Sequence, residues 1–464
     1  MLRETGEIPA TTDVLVLGAG IAGHCAALAA AESGASVLFL EKSSQPGGSS
    51  AIAGGAFVFC GTDLQVAAGQ RDSIDALRRD LLESGKSKNN PELIDAFLAN
   101  QLETYDFLRN YGVKFQLYMP PAPTIARAHT TGTGRAVTSL HMAARAHKNI
   151  QYFSKSAAVR LRRSPGSDRV DAAVVYFGGR ELEIVAQKGV ILATGGFSRN
   201  RDLLQIYAPE LVDAVKHGGI ANTGDGLMMA SDLGAGHADL GYVTGSFGGA
   251  ICNYPNVVNS ANEIPPLLFS FLEGGILVNK HGHRFVDEGQ SYKALSNIGM
   301  TQPEGIGFQI FDHKLMQSSV DDTSVNNYKE GLIGGYIHAA DTIAELASKM
   351  EIDPSALEAT VARYNADVAA NADSQFGRTS NLVSIDTAPY YIAASANALT
   401  STYGGITIDA GMKVLDWFGA PIEGLYAAGE VVGGFHGAGY YSASSLSSAA
   451  TFGRLAGQAA AAGT

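Results

Sequence analysis

Apolar residues occur along this chain in two patterns, short unbroken runs and longer runs with a 3.6-residue period. The runs DVLVLG (13–18) and ASVLFLEK (35–42) are short and bounded, which predicts buried parallel strands. Between them, AGHCAALAAAESG (22–34) predicts a helix. Helical periodicity returns in DTIAELASKM (341–350) and SALEATVARYNADVAANA (355–372). The succession of strand, helix and strand predicts an α/β fold with a parallel sheet.

The junction between the first strand and the first helix reads GAGIAG, the G-x-G-x-x-G pattern of a nucleotide-binding turn. Gly18 permits the tight turn, Gly20 lets a pyrophosphate touch the backbone, and Gly23 lets helix and strand pack closely. The helix N-terminus offers unpaired N–H groups to phosphate. Glu41 ends the second strand, where its carboxylate can accept the ribose hydroxyls. The ordered set predicts a bound nucleotide.

Three further glycine-rich segments favour FAD over NAD. KSSQPGGSS (42–50) follows the second strand, ATGGFSRN (193–200) ends another apolar run, and GLYAAGEVVGG (424–434) lies near the C-terminus. FAD is long and needs protein from both ends of the chain, whereas a single NAD fold would not need a glycine-rich segment about 400 residues away.

Composition and charge narrow the class of protein further. The formal charge is −12 and there is no Lys/Arg run, which argues against nucleic-acid binding. No apolar run approaches the roughly 20 residues of a membrane helix, and the first residues lack the pattern of a secretory signal. Three widely spaced cysteines without a CxxC predict no metal site, and they favour a reducing cytoplasm. A cytoplasmic protein without metal, nucleic-acid or membrane partners is therefore expected.

Ordered motifs over nearly the whole chain resemble the flavoprotein superfamily of fumarate reductase and succinate dehydrogenase. They include LGAGIAG, EKSSQPGG, RAHTTGTGR, NTGDG, GGILVNKHGHRFVDE, STYGGITID and GLYAAGEVVGGFHGA. The resemblance implies a Rossmann-like FAD-binding domain, residues 1–240 and 386–464, with an inserted α+β capping domain, residues 241–385. The substrate would lie between the cap and the flavin.

The resemblance also implies a set of cofactor-binding residues. The superfamily usually has a His after the Gly-Gly when FAD is covalent, and Ser49 and Ser50 stand there instead, so the FAD is expected to be non-covalent. The helix predicted to begin near Ser444 or Ser445, one of them as its N-cap, would stabilise negative charge on the reduced flavin. The expected FAD contacts are Gly18, Gly20, Ala22, Gly23, Glu41, Lys42, Gly48, Ser49, Ser50, Gly54, Gly55, Ala158, Val159, Thr194, Gly195, Asp225, Gly429, Glu430, Ser444, Ser445 and Leu446.

At three positions the chain departs from the acid reductases of this superfamily, which hold a dicarboxylate with His and Arg. Tyr292 stands where an acid-donating Arg follows the RFVNE-like stretch, and Tyr440 where a carboxylate-binding Arg follows HGAN. Thr400 replaces a substrate His before the MGG-like turn. Burying an unpaired carboxylate costs several kcal/mol, which disfavours a diacid substrate.

The tyrosines resemble instead the 3-ketosteroid Δ4-(5α)-dehydrogenase branch. That resemblance implies desaturation of a cyclic ketone, such as a 3-oxosteroid or 4-oxocyclohexanecarboxylate, with hydride transfer to the flavin and electrons passed to oxygen, a quinone or a redox partner. Tyr292 or Tyr440 would take the α-proton, with help from Ser442. Tyr118, Tyr403 and Arg127 are candidate substrate contacts, although Arg127 is equally expected in a loop ion pair. Reduction of an unsaturated acid or enone, or service as an electron-transfer subunit, stays open.

Overall fold

The computed structural model describes residues 7–119, 125–164, 166, 168–243, 245–256, 263–290, 292–321, 323 and 325–463. Within these residues the strands, in chain order from β1 to β19, are Thr11–Leu17, Val37–Leu40, Ala56–Val58, Gln116–Leu117, Ala128–Thr130, Ile150–Phe153, Ala157–Arg163, Val170–Phe177, Arg180–Leu192, Val215–Lys216, His237–Ala238, Ser246–Ala250, Ile276–Val278, Gly307–Asp312, His338–Ala340, Tyr390–Leu399, Gly405–Ile406, Lys413–Leu415 and Pro421–Ala427.

The helices of the described residues, from α1 to α14, are Ile21–Glu32, Gly48–Ile52, Asp63–Ala67, Ile74–Ser84, Pro91–Asn110, Thr133–Ala146, Arg201–Tyr207, Asp225–Asp232, Tyr292–Met300, His313–Met316, Tyr328–Ile333, Ile343–Lys349, Pro354–Ala369 and Ser444–Ala462. Among the helices of the described chain, none is long and apolar enough to cross a membrane.

The first of two compact units contains residues 1–208, 219–243 and 401–464. Its main sheet has the order β18-β19-β9-β1-β2-β6, and the pairs from β19 to β6 are parallel. The central strands β1 and β2 are almost wholly buried, as their unbroken apolar runs predict. The antiparallel strands β7 and β8 extend this sheet beside β9.

Small residues let two helices of this unit approach each other closely. Helix α1 is buried from Ile21 to Ala31, and it packs against α14. A Cβ on Gly453 would lie 2.2 Å from the Ala22 carbonyl oxygen, and one on Gly457 would lie 2.3 Å from that of Ala26. The Ala- and Gly-rich composition of the two helices is therefore a packing requirement. It joins the two ends of the chain, because α14 is the last helix.

The second unit contains residues 209–218 and 244–400. Its sheet has the order β10-β16-β14-β13, with β12 and β15 also paired to β16. Apolar residues of the sheet and of α12 and α13 form its core. Beside this core, Arg284 donates to Glu288 and to Asp373 in a fully buried ion-pair cluster. Two of its residues, Arg284 and Glu288, come shortly before α9 in the chain, and the first residue of α9 is Tyr292.

The structure confirms the strand–helix–strand prediction and corrects one helix start. The predicted N-cap Ser444 is the first helical residue of α14, and Ala443 is the N-cap. Ala443 lies in the left-handed region with φ of 73°, and it makes no side-chain cap hydrogen bond. Serine is a preferred N-cap residue, which is why the sequence predicts a hydroxyl cap at the start of this helix. Here the Ser444 hydroxyl donates to the Tyr441 carbonyl oxygen at 2.6 Å.

Candidate functional site

The nucleotide turn of the first unit has the close packing that its glycines predict. Gly18 has φ of +103°, and a Cβ there would lie 2.3 Å from the Ala193 carbonyl oxygen. A Cβ on Gly23 would lie 1.8 Å from the Gly18 carbonyl oxygen and 3.2 Å from the Phe39 ring. Only glycine fits these two places, so the end of β1 and the start of α1 meet with no side chain between them.

Gly20 differs from its neighbours, because its missing side chain leaves room on the open side of the turn. A Cβ there would meet only the Ser50 hydroxyl at 3.4 Å and the Gly47 carbonyl at 3.9 Å. The Ser50 hydroxyl accepts from the Ile21 amide at 3.1 Å. The remaining first-turn amides of α1 have no intrahelical acceptor, as in any helix. This cradle of amides beside a bare Cα fits a pyrophosphate group.

Two carboxylates and one ammonium lie at the ends of β2 and α8. Glu41 is buried, and its two oxygens accept from the amides of Ala19 and Ser43, each at 2.8 Å. The carboxylate is thus fixed against the turn and retains lone pairs for a ribose. Lys42 donates to the Asp225 carboxylate at 2.6 Å, and its Nζ also lies 2.6 Å from the Thr223 hydroxyl. Lys42 and Asp225, both predicted cofactor contacts, therefore form an ion pair in this structure.

The ends of β9 and β19 bring a second set of polar groups together. Among the described residues the buried Thr194 hydroxyl has no hydrogen-bond partner. Asn222 Nδ2 donates to Glu430 Oε1 at 3.0 Å, and the Thr402 amide donates to the same oxygen at 2.9 Å. Burial raises the pKa of the Glu430 carboxyl, while these hydrogen bonds act in the opposite direction. A Cβ on Gly429 would lie 2.9 Å from that of Ala22, which places the C-terminal segment against the nucleotide turn.

The other predicted cofactor contacts lie around this region of the first unit. Gly48, Ser49 and Ser50 form the start of α2, and the Ser49 hydroxyl accepts from the Gly219 amide at 3.0 Å. A Cβ on Gly55 would lie 2.1 Å from the Thr131 carbonyl oxygen. Their roles toward the cofactor stay predictions. The remaining predicted cofactor contacts are Gly54 after α2, Gly195 after β9, Ala158 and the exposed Val159 on β7, and Leu446 in the first turn of α14.

These features fit a long dinucleotide cofactor that contacts several separate segments of the chain. The bare turn, the fixed carboxylate of Glu41 and the orphaned hydroxyl of Thr194 belong to three separate chain segments, as a long cofactor requires. The fold and the site define an FAD-dependent flavoprotein oxidoreductase. When bound, FAD supplies the group that accepts or donates a hydride.

The chain matches the FAD binding domain family over residues 13–446, and it belongs to that family. It is 30% identical to a probable fumarate reductase of Shewanella frigidimarina over 97% of this chain and 75% of that protein. It is also 30% identical to the NADH:fumarate oxidoreductase of Klebsiella pneumoniae, of which it spans about half, 48%.

Two solved structures are similar over nearly the whole chain. A flavocytochrome c3 fumarate reductase in an open conformation has a TM-score of 0.84 at 29% identity, covering 98% of this chain and 78% of that one. A 3-ketosteroid Δ4-(5α)-dehydrogenase from Rhodococcus jostii, in complex with 4-androstene-3,17-dione, has a TM-score of 0.72 at 26% identity, covering 99% of this chain and 98% of that one. The superfamily and the branch named from sequence are therefore confirmed.

The loop Gly433–Ala443, which we call the tyrosine loop, carries the aromatic part of the candidate site. Tyr440 stacks on the buried Tyr403, with ring centroids 5.7 Å apart and planes 7° apart. The His436 ring lies 5.3 Å from Tyr403 and 5.6 Å from Tyr440. One imidazole and two phenols therefore cluster next to the N-terminus of α14.

The Tyr440 phenol points at that N-terminus. Its oxygen is hydrogen-bonded by the amides of Ala443 and Ser445 and by the Ser445 hydroxyl. Ala443 is left-handed, and its amide and that of Ser445 both donate to the phenol oxygen, which resembles an anion-binding nest. Burial raises the pKa of Tyr440, and the three hydrogen bonds oppose that rise. The net shift of the Tyr440 pKa is upward, so the hydrogen bonds offset only part of the cost of ionising the desolvated phenol.

The other predicted residues of this region have different surroundings. Ser442 is exposed, and the hydroxyl that contacts Tyr440 belongs to Ser445. Arg127 is buried and forms a bidentate ion pair with Asp72, at 2.7 Å for both contacts, and it also donates to Asp80. The loop ion pair that the sequence left open is thus present. Tyr118 directly follows β4 and is 57% exposed, so its role as a substrate contact stays a prediction.

Tyr292 belongs to the second unit, where it is the first residue of α9. Its ring packs on Phe269, with centroids 4.9 Å apart, and the Lys293 ammonium lies 5.7 Å from its ring centre. Burial lowers the pKa of Lys293 to about 7. The catalytic role of Tyr292 stays a prediction.

Sequence reasoning missed the contacts of two histidines, His24 and His436, and it gave Ser445 a role toward the cofactor alone. His24 follows the nucleotide turn at a position where the apolar pattern predicts a core residue, and its Nδ1 lies 2.8 Å from the Gly20 carbonyl oxygen. Ser445 was assigned to the cofactor because its hydroxyl precedes a helix. A polar residue inside an apolar run was the available signal for His24, whereas the contacts of Ser445 depend on the conformation of Ala443.

Proposed function

We propose that this protein desaturates a cyclic ketone next to its carbonyl group, with FAD as the hydride acceptor. One α-hydrogen leaves as a proton, one β-hydrogen leaves as a hydride, and a carbon–carbon double bond forms. An external acceptor then reoxidises the flavin. The single observation that carries this proposal is the seat of the Tyr440 phenol at the N-terminus of α14, among the amides of Ala443 and Ser445.

Its position at the helix N-terminus gives the phenol a property that the reaction needs. The amide donors and the positive end of a 19-residue helix stabilise negative charge on the phenol oxygen. A free tyrosine has a pKa of about 10, so little of it is ionised at neutral pH and it needs support to act as a base. With this support Tyr440 can give up its own proton and take the α-proton of the ketone, or polarise the carbonyl as a donor. A guanidinium at the same place would stay protonated, so it could polarise the carbonyl but could not take the α-proton.

The buried arginines of the described chain support an uncharged substrate. Arg127 and Arg284 are each held by two carboxylates. Arg378 donates to the carbonyl oxygens of Gly275, Phe271 and Asn381, among others. Arg454 is paired with Glu103. A dicarboxylate that bound to one of these four guanidinium groups would have to displace the present partner of that group, which costs several kcal/mol.

Tyr292 supplies the second phenol of the proposed reaction. Its neighbour Lys293 places a partly desolvated ammonium by the ring, which would favour the ionised phenol electrostatically. We assign α-proton removal to Tyr440 or Tyr292, with one phenol as the base and the other as a donor. Separate substitution of the two distinguishes these roles.

Reduction of an unsaturated acid is the second candidate, because the sequence relatives include proteins named as fumarate reductases. The test mixes purified holoenzyme anaerobically with saturated cyclohexanones and 3-oxosteroids and follows the flavin absorbance near 450 nm. We expect at least one ketone to bleach the oxidised flavin. In the opposite arm, dithionite-reduced enzyme is mixed with fumarate, and we expect no reoxidation. Reoxidation by fumarate with no bleaching by any ketone would reverse the assignment.

A further inference from the structure

Asp239 lies against both chain segments that carry the stacked tyrosines. It directly follows β11, which pairs with β17 in the first unit. A Cβ on Gly404 would lie 2.3 Å from the Asp239 carbonyl carbon, so the residue after Tyr403 packs directly on the Asp239 backbone. A Cβ on Gly433, the first residue of the tyrosine loop, would lie 2.3 Å from the carbonyl oxygen of Ala238. The backbone at Asp239 is therefore fixed beside the segment of Tyr403 and beside the start of the tyrosine loop.

The Asp239 carboxylate binds the tyrosine loop directly. Its Oδ2 accepts from the Gly434 amide at 3.1 Å, and the carboxylate also accepts from the Gly437 amide. Hydrogen bonds to a charged acceptor are stronger than neutral ones. Burial raises the pKa of Asp239, and the two amides act in the opposite direction. Among the ion pairs of the described residues none includes Asp239, so its charge is compensated by backbone amides of the loop.

The backbone conformation of Asp239 gives no reason for a carboxylate at this position. Its φ of 62° lies in the left-handed region, where glycine has no steric cost and Asn and Asp are the best-tolerated other residues. What distinguishes aspartate from glycine here is the pair of hydrogen bonds to the tyrosine loop. Gly437 comes shortly before Tyr440, so the carboxylate restrains the part of the loop that leads into the phenol.

We propose that Asp239 is a positioning residue for Tyr440. By binding two amides of the tyrosine loop, its carboxylate keeps the loop where the Tyr440 ring stacks on Tyr403 and the phenol reaches the N-terminus of α14. The inference rests on the proposed function, in which Tyr440 takes or gives the proton. Asp239 acts on the substrate only through the loop. A misplacement of about 1 Å can slow a reaction about 100-fold, so this restraint affects the rate as well as the stability.

Two variants separate the carboxylate from the backbone conformation. Asp239→Gly removes both acceptor oxygens and adopts the left-handed conformation freely, whereas Asp239→Asn keeps one acceptor oxygen and also tolerates that conformation. Asp409→Asn is the matched control, because Asp409 Oδ1 accepts from the Lys413 amide at 2.9 Å in a different turn of the first unit. All three are prepared as holoenzymes, and we expect full FAD content in each.

The first test needs no substrate. Hydrogen exchange followed by mass spectrometry should show residues 434–437 exchanging about tenfold faster in Asp239→Gly, less so in Asp239→Asn, and at the parental rate in the control. In holoenzyme labelled with ¹³Cζ-tyrosine, the Tyr440 NMR signal is assigned by its loss in Tyr440→Phe. This signal should shift or broaden in Asp239→Gly. A parental Tyr440 signal in Asp239→Gly would overturn the proposal, whatever the exchange rates.

The second test uses a ketone that bleaches the flavin. At saturating ketone, Asp239→Gly should slow flavin reduction about 10- to 100-fold, with the Kd of the ketone within about threefold of the parent. Asp239→Asn should be intermediate. In the Tyr440→Phe background, Asp239→Gly should slow the reaction no further, because both changes act through one phenol.

Equal slowing by Asp239→Gly in both backgrounds would show a general structural effect and refute the positioning role. If no ketone bleaches the flavin although the Tyr440 signal shifts as expected, the ketone reaction fails and the placement of the phenol by Asp239 stands.

Discussion

Two glycine-rich loops of the first unit, the nucleotide turn and the tyrosine loop, use glycine for different purposes. In the nucleotide turn, Gly18 and Gly23 remove side chains so that a strand and a helix meet, and Gly20 leaves room for a ligand. In the tyrosine loop the glycines face protein. A Cβ on Gly439 would lie 2.1 Å from the Ser84 carbonyl oxygen, and one on Gly437 would lie 2.7 Å from that of Gly85.

The tyrosine loop is therefore seated by its backbone on the connection between α4 and α5. The Ala438 amide donates to the Gly85 carbonyl at 3.1 Å, and the Asn90 amide donates to that of Gly434 at 2.6 Å. Fixing the loop by its backbone leaves the few large side chains to stack and to make polar contacts. The nucleotide turn prepares a backbone for a ligand, whereas the tyrosine loop prepares side chains for chemistry.

The largest expected effect concerns the attachment of the cofactor beside the nucleotide turn. Because Ser49 and Ser50 stand where covalent members carry a His, acid precipitation of the holoenzyme should release essentially all of the FAD. The measurement is flavin absorbance in the supernatant against the pellet. Yellow protein that persists through precipitation and washing would show a covalent link and refute the prediction.

Gly23→Ala should abolish FAD retention, because its Cβ cannot avoid the Gly18 carbonyl oxygen 1.8 Å away.

Gly20→Ala should keep the melting temperature of the apoprotein but lose FAD affinity at least tenfold, since its Cβ meets ordinary contacts and fills the cradle. Gly241→Ala, where a Cβ meets nothing within 4 Å, is the control. FAD content and thermal melts separate the cases, and equal behaviour of Gly20→Ala and Gly241→Ala would contradict the proposed phosphate cradle.

Tyr440→Phe should slow flavin reduction by a ketone about 100- to 1,000-fold while FAD content is kept, because the proton acceptor is lost. Tyr441→Phe is the matched control in the same loop. It removes only the hydrogen bond from Arg127, so its rate should stay within about threefold of the parent. Stopped-flow absorbance measures both. Similar rates for the two variants would dismiss the phenol chemistry, and Tyr292→Phe examines the second phenol in the same way.

Gly439→Ala should disturb the seat of the tyrosine loop and leave the nucleotide turn intact. Its Cβ would collide with the Ser84 carbonyl, so we expect a loss of about 1–3 kcal/mol in the free energy of unfolding and a reduced kcat. FAD affinity should change less than in Gly20→Ala. Denaturant unfolding and FAD titration give the two quantities. A fall in FAD affinity as large as that of Gly20→Ala would mean that the two loops are not separate in function.

The smallest expected effect concerns His24, the histidine that follows the nucleotide turn. Burial lowers the pKa of His24 to about 3 from 6.5, so the folded protein keeps it neutral while the unfolded chain takes up a proton below pH 6.5. Its contribution to stability is present above pH 6.5 and is lost as the pH falls. His24→Asn keeps a donor for the Gly20 carbonyl and should flatten the acid decline of the melting temperature between about pH 6.5 and 4. An unchanged slope in His24→Asn would refute the assignment.

The sequence by itself determined the nucleotide turn, the strands and helices around it and the family. The reason is that these depend on local patterns: apolar runs, a fixed glycine spacing, and small residues where helices meet. It also identified Tyr440 as unusual. Only the tertiary structure decided what the Tyr440 phenol contacts. The left-handed conformation of Ala443 places the amides, and the hydroxyl that contacts the phenol oxygen belongs to Ser445 and not to Ser442. The partners of Arg127 were likewise set by folding, since Asp72 and Asp80 come from about 50 residues earlier in the chain. Long-range pairs of this kind have no periodic trace in a sequence, because their energy comes from burial in a packed unit.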